Sequence, residues 1–444
     1  MTVALVGDAV LRPMDERPLR RENSMQIRIN RFVLTVALCV YPIAALHAQF
    51  DFRVAGRDVQ VHSFFSQGYA YSNENNYLTM KTSQGSFAMT DFGANISTQL
   101  TDKLRVGAQL YDHNMGNLGK WEPQLDWAMA DYRFKDWLGL RGGKVKTVLG
   151  LHNDTRDLEF LDTFALLPQS IYSVDLRDGY IAHTGGDVYG RVPLKHLGSL
   201  SYTVWAGHRQ DSTNGGYIYL LRDRGINYTS YHGLQYGADL RWNLPLTGLV
   251  VGISRMNQDT QGTGTAVCTA STPINCNTFN PNGGAGVSAP AEEHSRKDFT
   301  DQFYGEYAAG RLKIDTEYRR YFRNVIAWNN LLDVWSDTKS WYVSGSYRLS
   351  KWFEVGSYYS HLSTLYKRGP LAASLDASLP ANHINDKVIA ARFDLRRYWD
   401  LKIEGHFMDG YNNNQYPAGF YIPDNPLGLK PKTNLLVIRT GWNF

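Results

Sequence analysis

The sequence predicts an all-β fold: a transmembrane, antiparallel, up-and-down β-barrel of about sixteen strands. Three observations carry this. Stretches of alternating polar and apolar side chains, each about ten residues long, recur from Val59 to Phe444. Tight turns and long polar loops join them in strict rotation. Aromatic residues gather beside the tight turns. The last stretch shows the period of two: Leu436, Ile438, Thr440, Trp442 and Phe444 share one face, while Arg439, Gly441 and Asn443 share the other. Strands of this length cross a bilayer at a tilt. A membrane span made of strands must close on itself, because an open edge leaves unpaired N–H and C=O groups in lipid.

Taken in order, the first strand is expected over Val59–Ser72. Ala88–Gln99 and Leu104–Asp112 follow, joined by Thr101-Asp102-Lys103. Leu125–Phe134 and Leu138–Val145 flank Lys135-Asp136-Trp137. Tyr180–Val192 and Leu200–His208 flank Pro193 to Gly198, and Leu234–Trp242 and Leu249–Met256 flank Leu244 to Thr247. Phe299–Ala308 and Leu312–Phe322 meet at Gly310-Arg311, and Ser340–Leu349 and Trp352–Leu362 at Ser350-Lys351. Val388–Leu395 and Leu401–Met408 flank Arg397 and Tyr398, and Leu435–Phe444 closes the sheet.

The remaining connections are long, near 73–87, 113–123, 146–178, 209–232, 257–298, 323–337, 363–385 and 410–432. Outer-membrane barrels have short periplasmic turns and long external loops, so the alternation fixes orientation, makes the strand count even and puts both ends of the barrel in the periplasm. Tyr132, Phe134, Trp137, Trp242, Tyr347, Trp352, Tyr398, Trp399 and Trp442 lie beside the short turns, where amphipathic rings suit a headgroup girdle. A soluble propeller or sandwich also favours such residues in strands. It would show blade repeats, which are absent, and does not require alternating loop lengths.

Composition agrees. Mean hydropathy is −0.37 and hydrophobic content 43%, as expected where only every second strand residue meets lipid. Residues 1–48 hold six Lys and Arg against four Asp and Glu, leaving 40 against 38 in the remainder, so the clustered basic excess of a nucleic-acid binder is missing. Residues 25–48 read as a signal peptide: Arg28 and Arg31 lead an apolar run from Phe32 to Leu46, and Ala48 is a small residue at the cut. Residues 1–24 are charged and precede Met25; they are read as a non-native extension ahead of a start at Met25, the alternative being an unusual natural extension. Residues 49–444 then form one barrel domain. Cys268 and Cys276, in a polar loop, are expected to close a small disulfide in an oxidising compartment; free thiols or a metal half-site are the alternatives, and no nearby His pair supports metal. No cofactor is expected.

The two faces can be assigned. Leu104, Val106, Ala108 and Leu110 point to lipid and lipopolysaccharide, leaving Arg105, Gln109 and Tyr111 for the lumen. Leu312, Ile314, Thr316 and Tyr318 point out, with Lys313, Asp315, Glu317 and Arg319 in. Leu401, Ile403 and Phe407 point out, with Lys402, Glu404 and His406 in; Arg392 and Asp394 oppose Ala391 and Phe393. An interior of mixed charge calls for water, since unpaired buried charge is very costly. The third long loop carries Leu158, Phe160, Leu161, Phe164, Leu166 and Leu167, too apolar to stand in water, so it should pack inside the barrel. It also carries the acids Asp154, Asp157, Glu159, Asp162 and Asp175, with Arg156 among them as a further constriction residue. Facing a basic wall of Arg105, Arg141, Arg319, Arg392 and Lys402, these acids would set up a transverse field at a constriction. The alternative is that they pair locally with Arg156 and Arg177 and only pin the loop.

The segment Gly143-Lys144-Val145-Lys146, with Gly150-Leu151, Arg156-Asp157, Leu167-Pro168-Gln169-Ser170 and Tyr172, resembles a region of Gram-negative general-type porins. Val148-Leu149 stands where such relatives often carry a proline. The resemblance implies a sixteen-stranded trimeric diffusion porin with its third loop folded inward. It also implies that the terminal Phe444 is read by the barrel-assembly machinery.

The function expected from all this is a water-filled channel in the outer membrane for small hydrophilic solutes, with a lean toward small anions such as carboxylates. Tyr217, Tyr219, Tyr228 and Tyr231 offer a sugar slide as an alternative, set against simple loop packing or trimer contact. A barrel that works through its loops in adhesion is a further class. An enzyme is disfavoured: no G-x-S-x-G or H-E-x-x-H occurs, and the pairs Ser360/His361 and His183/Thr184 point to opposite faces of their strands.

Overall fold

Each strand pairs antiparallel with the next, and the last returns to the start of the ring. The computed structural model describes residues 50–54, 56–223, 225–267, 288–327, 332–368, 378–412 and 418–444. Among them the strands are β1 (Phe50–Val54), β2 (Arg57–Ser72), β3 (Ser86–Thr101), β4 (Leu104–Met115), β5 (Gln124–Lys135), β6 (Leu138–Lys146), β7 (Ala182–Pro193), β8 (Ser199–Gln210) and β9 (Ile226–Asn243). They continue as β10 (Leu249–Val267), β11 (Ser288–Ala309), β12 (Leu312–Ala327), β13 (Leu332–Arg348), β14 (Phe353–Arg368), β15 (His383–Arg396), β16 (Trp399–Gly410) and β17 (Lys432–Asn443). β2 to β17 form a closed ring of sixteen strands, sealed by β17 against β2 from Leu435↔Ser72 to Asn443↔Phe64. Phe444 completes the seam: its N–H donates to the Ser63 carbonyl at 2.7 Å, and its own carbonyl accepts from Ser63 N–H at 2.9 Å. The β2–β17 ring has no open edge, which is the condition for spanning lipid with strands.

All sixteen expected strands are present. β1 is an addition, a short hairpin arm that pairs with the start of β2. β10 and β11 run to 19 and 22 residues, far past the expected Met256 and back to well before Phe299. Their outer halves pair residues such as Thr263↔Glu292 and Gly262↔Glu293. Polar on both faces, these halves carry no period-two apolar signal, so they read as loop in the sequence. β9 likewise starts at Ile226, inside the expected loop 209–232, and a helix, Gly216–Asp223, fills part of the rest. Residues 1–49, which hold the expected signal peptide, and Cys268 and Cys276 lie outside the described residues.

The outward face is apolar. Leu110, Ile253, Ile314, Val343, Ile389, Ile403 and Phe407 are all exposed on the outer wall. Tyr132, Phe134, Trp137, Trp242, Tyr347 and Trp352 are exposed near the short turns, and Trp399 stacks on Trp442 with centroids 5.9 Å apart. The side-chain parity expected for β4, β12, β16 and β17 holds throughout: Gln109, Glu317, Arg319, Lys402, Glu404 and Arg439 are buried inside.

Candidate functional site

The connection between β6 and β7 folds into the lumen and is held there along its whole length. Its base is closed by Asn153, whose side-chain amide donates to the carbonyls of Thr147 at 2.8 Å and Tyr180 at 2.7 Å. Gly150 then meets the far wall. Its N–H donates to Ser254 Oγ at 3.0 Å, and its carbonyl accepts from Arg241 at 3.0 Å. Its φ is +69°, and a Cβ there would sit 2.0 Å from Gln302 Nε2, so glycine is what permits the approach. Leu151 N–H donates to Glu317 at 3.1 Å.

Three of the five expected wall cations grip this loop directly. Arg319 donates to the carbonyls of Ser170, at 3.0 Å, and Ile171. Arg392 donates to the Asp162 carbonyl at 2.8 Å. Lys402 Nζ lies 3.0 Å from the Glu159 carboxylate and donates to the Glu159 carbonyl as well. Wall carboxylates grip it from the other side: Glu404 accepts from Ala165 N–H at 2.8 Å and Glu354 from Thr163 Oγ1 at 2.6 Å. Arg439 donates to the Ala165 carbonyl at 2.9 Å and pairs with Asp91.

For Arg319, Arg392 and Lys402 the structure differs from the expected picture of loop acids facing wall cations across open water. Lys402 and Glu404 are fully buried and His406 is 1% exposed, with His406 lying 2.8 Å from Asp386 and 2.7 Å from Glu404. On β16 and β17, Lys402, Glu404, His406 and Arg439 are buried away from solvent. Each of these four has an ionic partner, and loop backbone groups bond Lys402, Glu404 and Arg439 as well. The alternative of local pairing with Arg156 and Arg177 is not met either. Asp157 pairs with Lys146 at 2.5 Å and accepts from Gln109, Arg156 bonds the carbonyls of Tyr172 and Ser173 at 2.8 and 2.7 Å, and Arg177 bonds Asp126 at 2.7 Å. Burial alone would raise the Asp157 and Glu159 carboxyls; Lys146 beside the first and Lys402 beside the second outweigh it and hold both below the usual carboxylate range.

Of the loop's apolar residues, Phe164 packs on Tyr358, Val388 and Ala390, and Leu166 joins a larger cluster. Leu161 departs from expectation and is 55% exposed, pointing into the cavity bounded by Lys313, Arg348 and Arg392. The larger cluster is a feature the sequence reading missed. Tyr77, Leu78 and Met80 from the loop after β2, Leu118 from the loop after β4 and Phe420 from the loop after β16 fold inward onto Met89, Met408, Leu435 and Val437. The signal in the sequence is Tyr77-Leu78 with Met80 and Phe420-Tyr421-Ile422, apolar stretches like those of the third loop; Leu118 stands alone between Asn117 and Gly119. Asp175 latches the inner loop to this cap, accepting from Tyr421 OH at 2.6 Å and Gly419 N–H at 3.0 Å. Of the tyrosines offered as an alternative sugar slide, two take the loop-packing role instead. Tyr228 and Tyr231 are buried with Ile218 and Val325, and their hydroxyls bond Glu293 and Thr260.

Arg105 and Arg141 stay on the wall. Arg141 lies 3.4 Å from Asp187 and 3.7 Å from Asp131, and Arg105 bonds Ser97 at 2.8 Å. Both line a cavity of about 340 Å³ at the turn end of β3 to β6, roofed by Val148, Asp154 and Leu158 of the inner loop.

No family model and no curated protein matches the chain. Solved structures do. OmpT of Vibrio cholerae, expressed in the outer membrane, superposes with a TM-score of 0.52 at 10% identity, covering 89% of this chain and 100% of that one. OmpF of Salmonella typhi, solved with daunomycin, gives 0.52 at 11% identity over 89% and 100%. A loop L8 deletion mutant of the Vibrio protein gives 0.51 at 10% over 87% and 99%. This is the porin-type barrel fold. At such identities the likeness concerns the fold alone.

Proposed function

We propose that the chain is an outer-membrane porin through which small hydrophilic solutes diffuse passively, with the inner loop as its constriction. The observation that carries this is the inner loop itself, seated inside a closed barrel by Arg319, Arg392 and Lys402, with a charged cavity between it and the wall. A strong preference for anions has little support, since three of the five wall cations are engaged by the loop. Osmotic swelling of proteoliposomes is the test. Swelling in small sugars and amino acids that declines with solute size supports the reading; no swelling with any solute overturns it.

A plugged barrel acting through its loops is the second reading, favoured by the apolar packing of Tyr77, Met80, Leu166 and Phe420. It predicts no swelling. Catalysis has less to support it. Thr147, His183 and Asp187 line up at 2.9 and 2.8 Å, but Thr147 is fully buried and His183 is 1% exposed, so no substrate reaches them.

Assembly as a homotrimer is part of the proposal. The register places Val106, Ala130, Gly142, Gly186 and Ala206 in one outward row across β4 to β8. Small side chains let a second barrel wall come close. Loss of the trimer band on Ala206→Trp in native gels is the expected result. A leader over 25–48, a Cys268–Cys276 disulfide and recognition of Phe444 by the assembly machinery complete the reading.

A further inference from the structure

Two opposite charges lining the 340 Å³ cavity, Arg105 and Asp154, form no ion pair among the described residues. The cavity is bounded by Arg105, Trp127, Met129 and Arg141 on the wall and by Asp154 and Leu158 on the inner loop. Most of its charge is spoken for: Lys146 by Asp157 at 2.5 Å, and Arg141 by Asp187 and Asp131. Arg105 bonds only the Ser97 hydroxyl and forms no ion pair among the described residues. Asp154 forms none either; the nearby Arg241 acts on it electrostatically but is committed to the Gly150 carbonyl at 3.0 Å and to Tyr304.

The same cavity has an apolar lining. A bulge in β5 lets Trp127 pair with Gln109 while Leu125 pairs with Leu110, so Asp126 is the extra residue and both it and Trp127 face inward. Asp126 is used up by Arg177 and Gln109. The Trp127 indole reaches over Gly107, where a Cβ would come within 3.1 Å of its ring. An indole face with an aliphatic neighbour suits an apolar or aromatic side chain.

We propose that this cavity is a solute subsite for zwitterionic amino acids with an apolar side chain. The solute's carboxylate sits on Arg105, its ammonium on Asp154 and its side chain over Trp127 and Leu158. A plain carboxylate leaves Asp154 unmatched in the same space and is disfavoured; a plain amine leaves Arg105. The proposal rests on the porin reading and names a solute class for it.

The experiment has two readouts on the full, refolded barrel: interruption of the KCl current in planar bilayers, and calorimetry in detergent. The probes are L-phenylalanine, phenylacetate, 2-phenylethylamine and L-serine. L-Phenylalanine is expected to bind at least about tenfold more tightly than each of the other three. Asp154→Asn should remove its advantage over phenylacetate, and Arg105→Gln its advantage over 2-phenylethylamine. Equal binding of L-phenylalanine and phenylacetate to the native protein, or a preference that survives Asp154→Asn, overturns the proposal. Selective binding by calorimetry with no ionic current would sink the porin reading and leave the subsite standing. Current without selective binding would do the reverse.

Discussion

Lys402 on β16 is fully buried, with its ammonium 3.0 Å from the carboxylate of Glu159 on the inner loop. It is a lumen-facing lysine turned into an internal strut. Replacing it by Met would leave Glu159 with the longer Arg439 contact, at 3.6 Å, and the more distant Arg392. Stripping one partner from a buried pair costs about 3 kcal/mol. The inner loop of Lys402→Met should therefore become cleavable by added protease between residues 147 and 181, where the native protein resists. The double variant Lys402→Met, Glu159→Gln should recover part of that resistance, because neither charge is then stranded.

Gly150 is the second fixed point of the loop. Alanine at this position would force a side chain into the space of Gln302 and Glu317 at a φ of +69°. Gly150→Ala should lift the loop from the β10 to β12 wall and raise open-channel current noise. A quiet trace of native amplitude from this variant would show that the wall contact does not set the constriction.

Much of this architecture was legible in the residues, for a simple reason. Lipid on one side and a polar lumen on the other impose a period of two, and Leu312, Ile314 and Tyr318 against Asp315, Glu317 and Arg319 display it. What lay beyond reach was pairing across long sequence distances. Glu317 lies on β12, and nothing in its neighbourhood signals that it will accept from the Leu151 N–H and the Tyr172 hydroxyl of the loop. Arg319 and Lys402 were rightly placed inside, but their partners are mostly carbonyls of the loop, which no charge pattern reveals. The polar extensions of β10 and β11 escaped because the apolar face that marks a strand stops where the lipid does.

Asp175 gives the cap a pH dependence of defined sign. Burial pushes its carboxyl up to about 6, against the hydrogen bonds from Tyr421, Gly419 and Ser173 that favour the ionised form. A raised carboxyl means that the latched state holds its proton better than the unlatched one. The latch is then strongest below the ordinary value near 4 and loses strength as pH rises from there through 6, by roughly 3 kcal/mol in all. Acid should lengthen closed intervals, with pH 4.5 more closed than pH 7.5. Asp175→Asn keeps an acceptor for Tyr421 and should flatten that dependence.

The outer wall should tolerate charge poorly at mid-height. Ile389 on β15 is 60% exposed there, on the face assigned to lipid. Ile389→Arg should lower folding stability in bilayers by about 2 to 4 kcal/mol, whereas Ile389→Leu should change little. Equilibrium refolding into lipid vesicles reads both, and an unaffected arginine variant would mean that this face does not meet lipid.

A hollow barrel leaves a water path past its inner loop, and single-channel recording in planar bilayers reads that path. Discrete, repeatable conductance steps from the folded protein, enlarged in Lys402→Met, are the predicted result. A fully inserted barrel that stays electrically silent at every voltage, in both native and Lys402→Met forms, would contradict it.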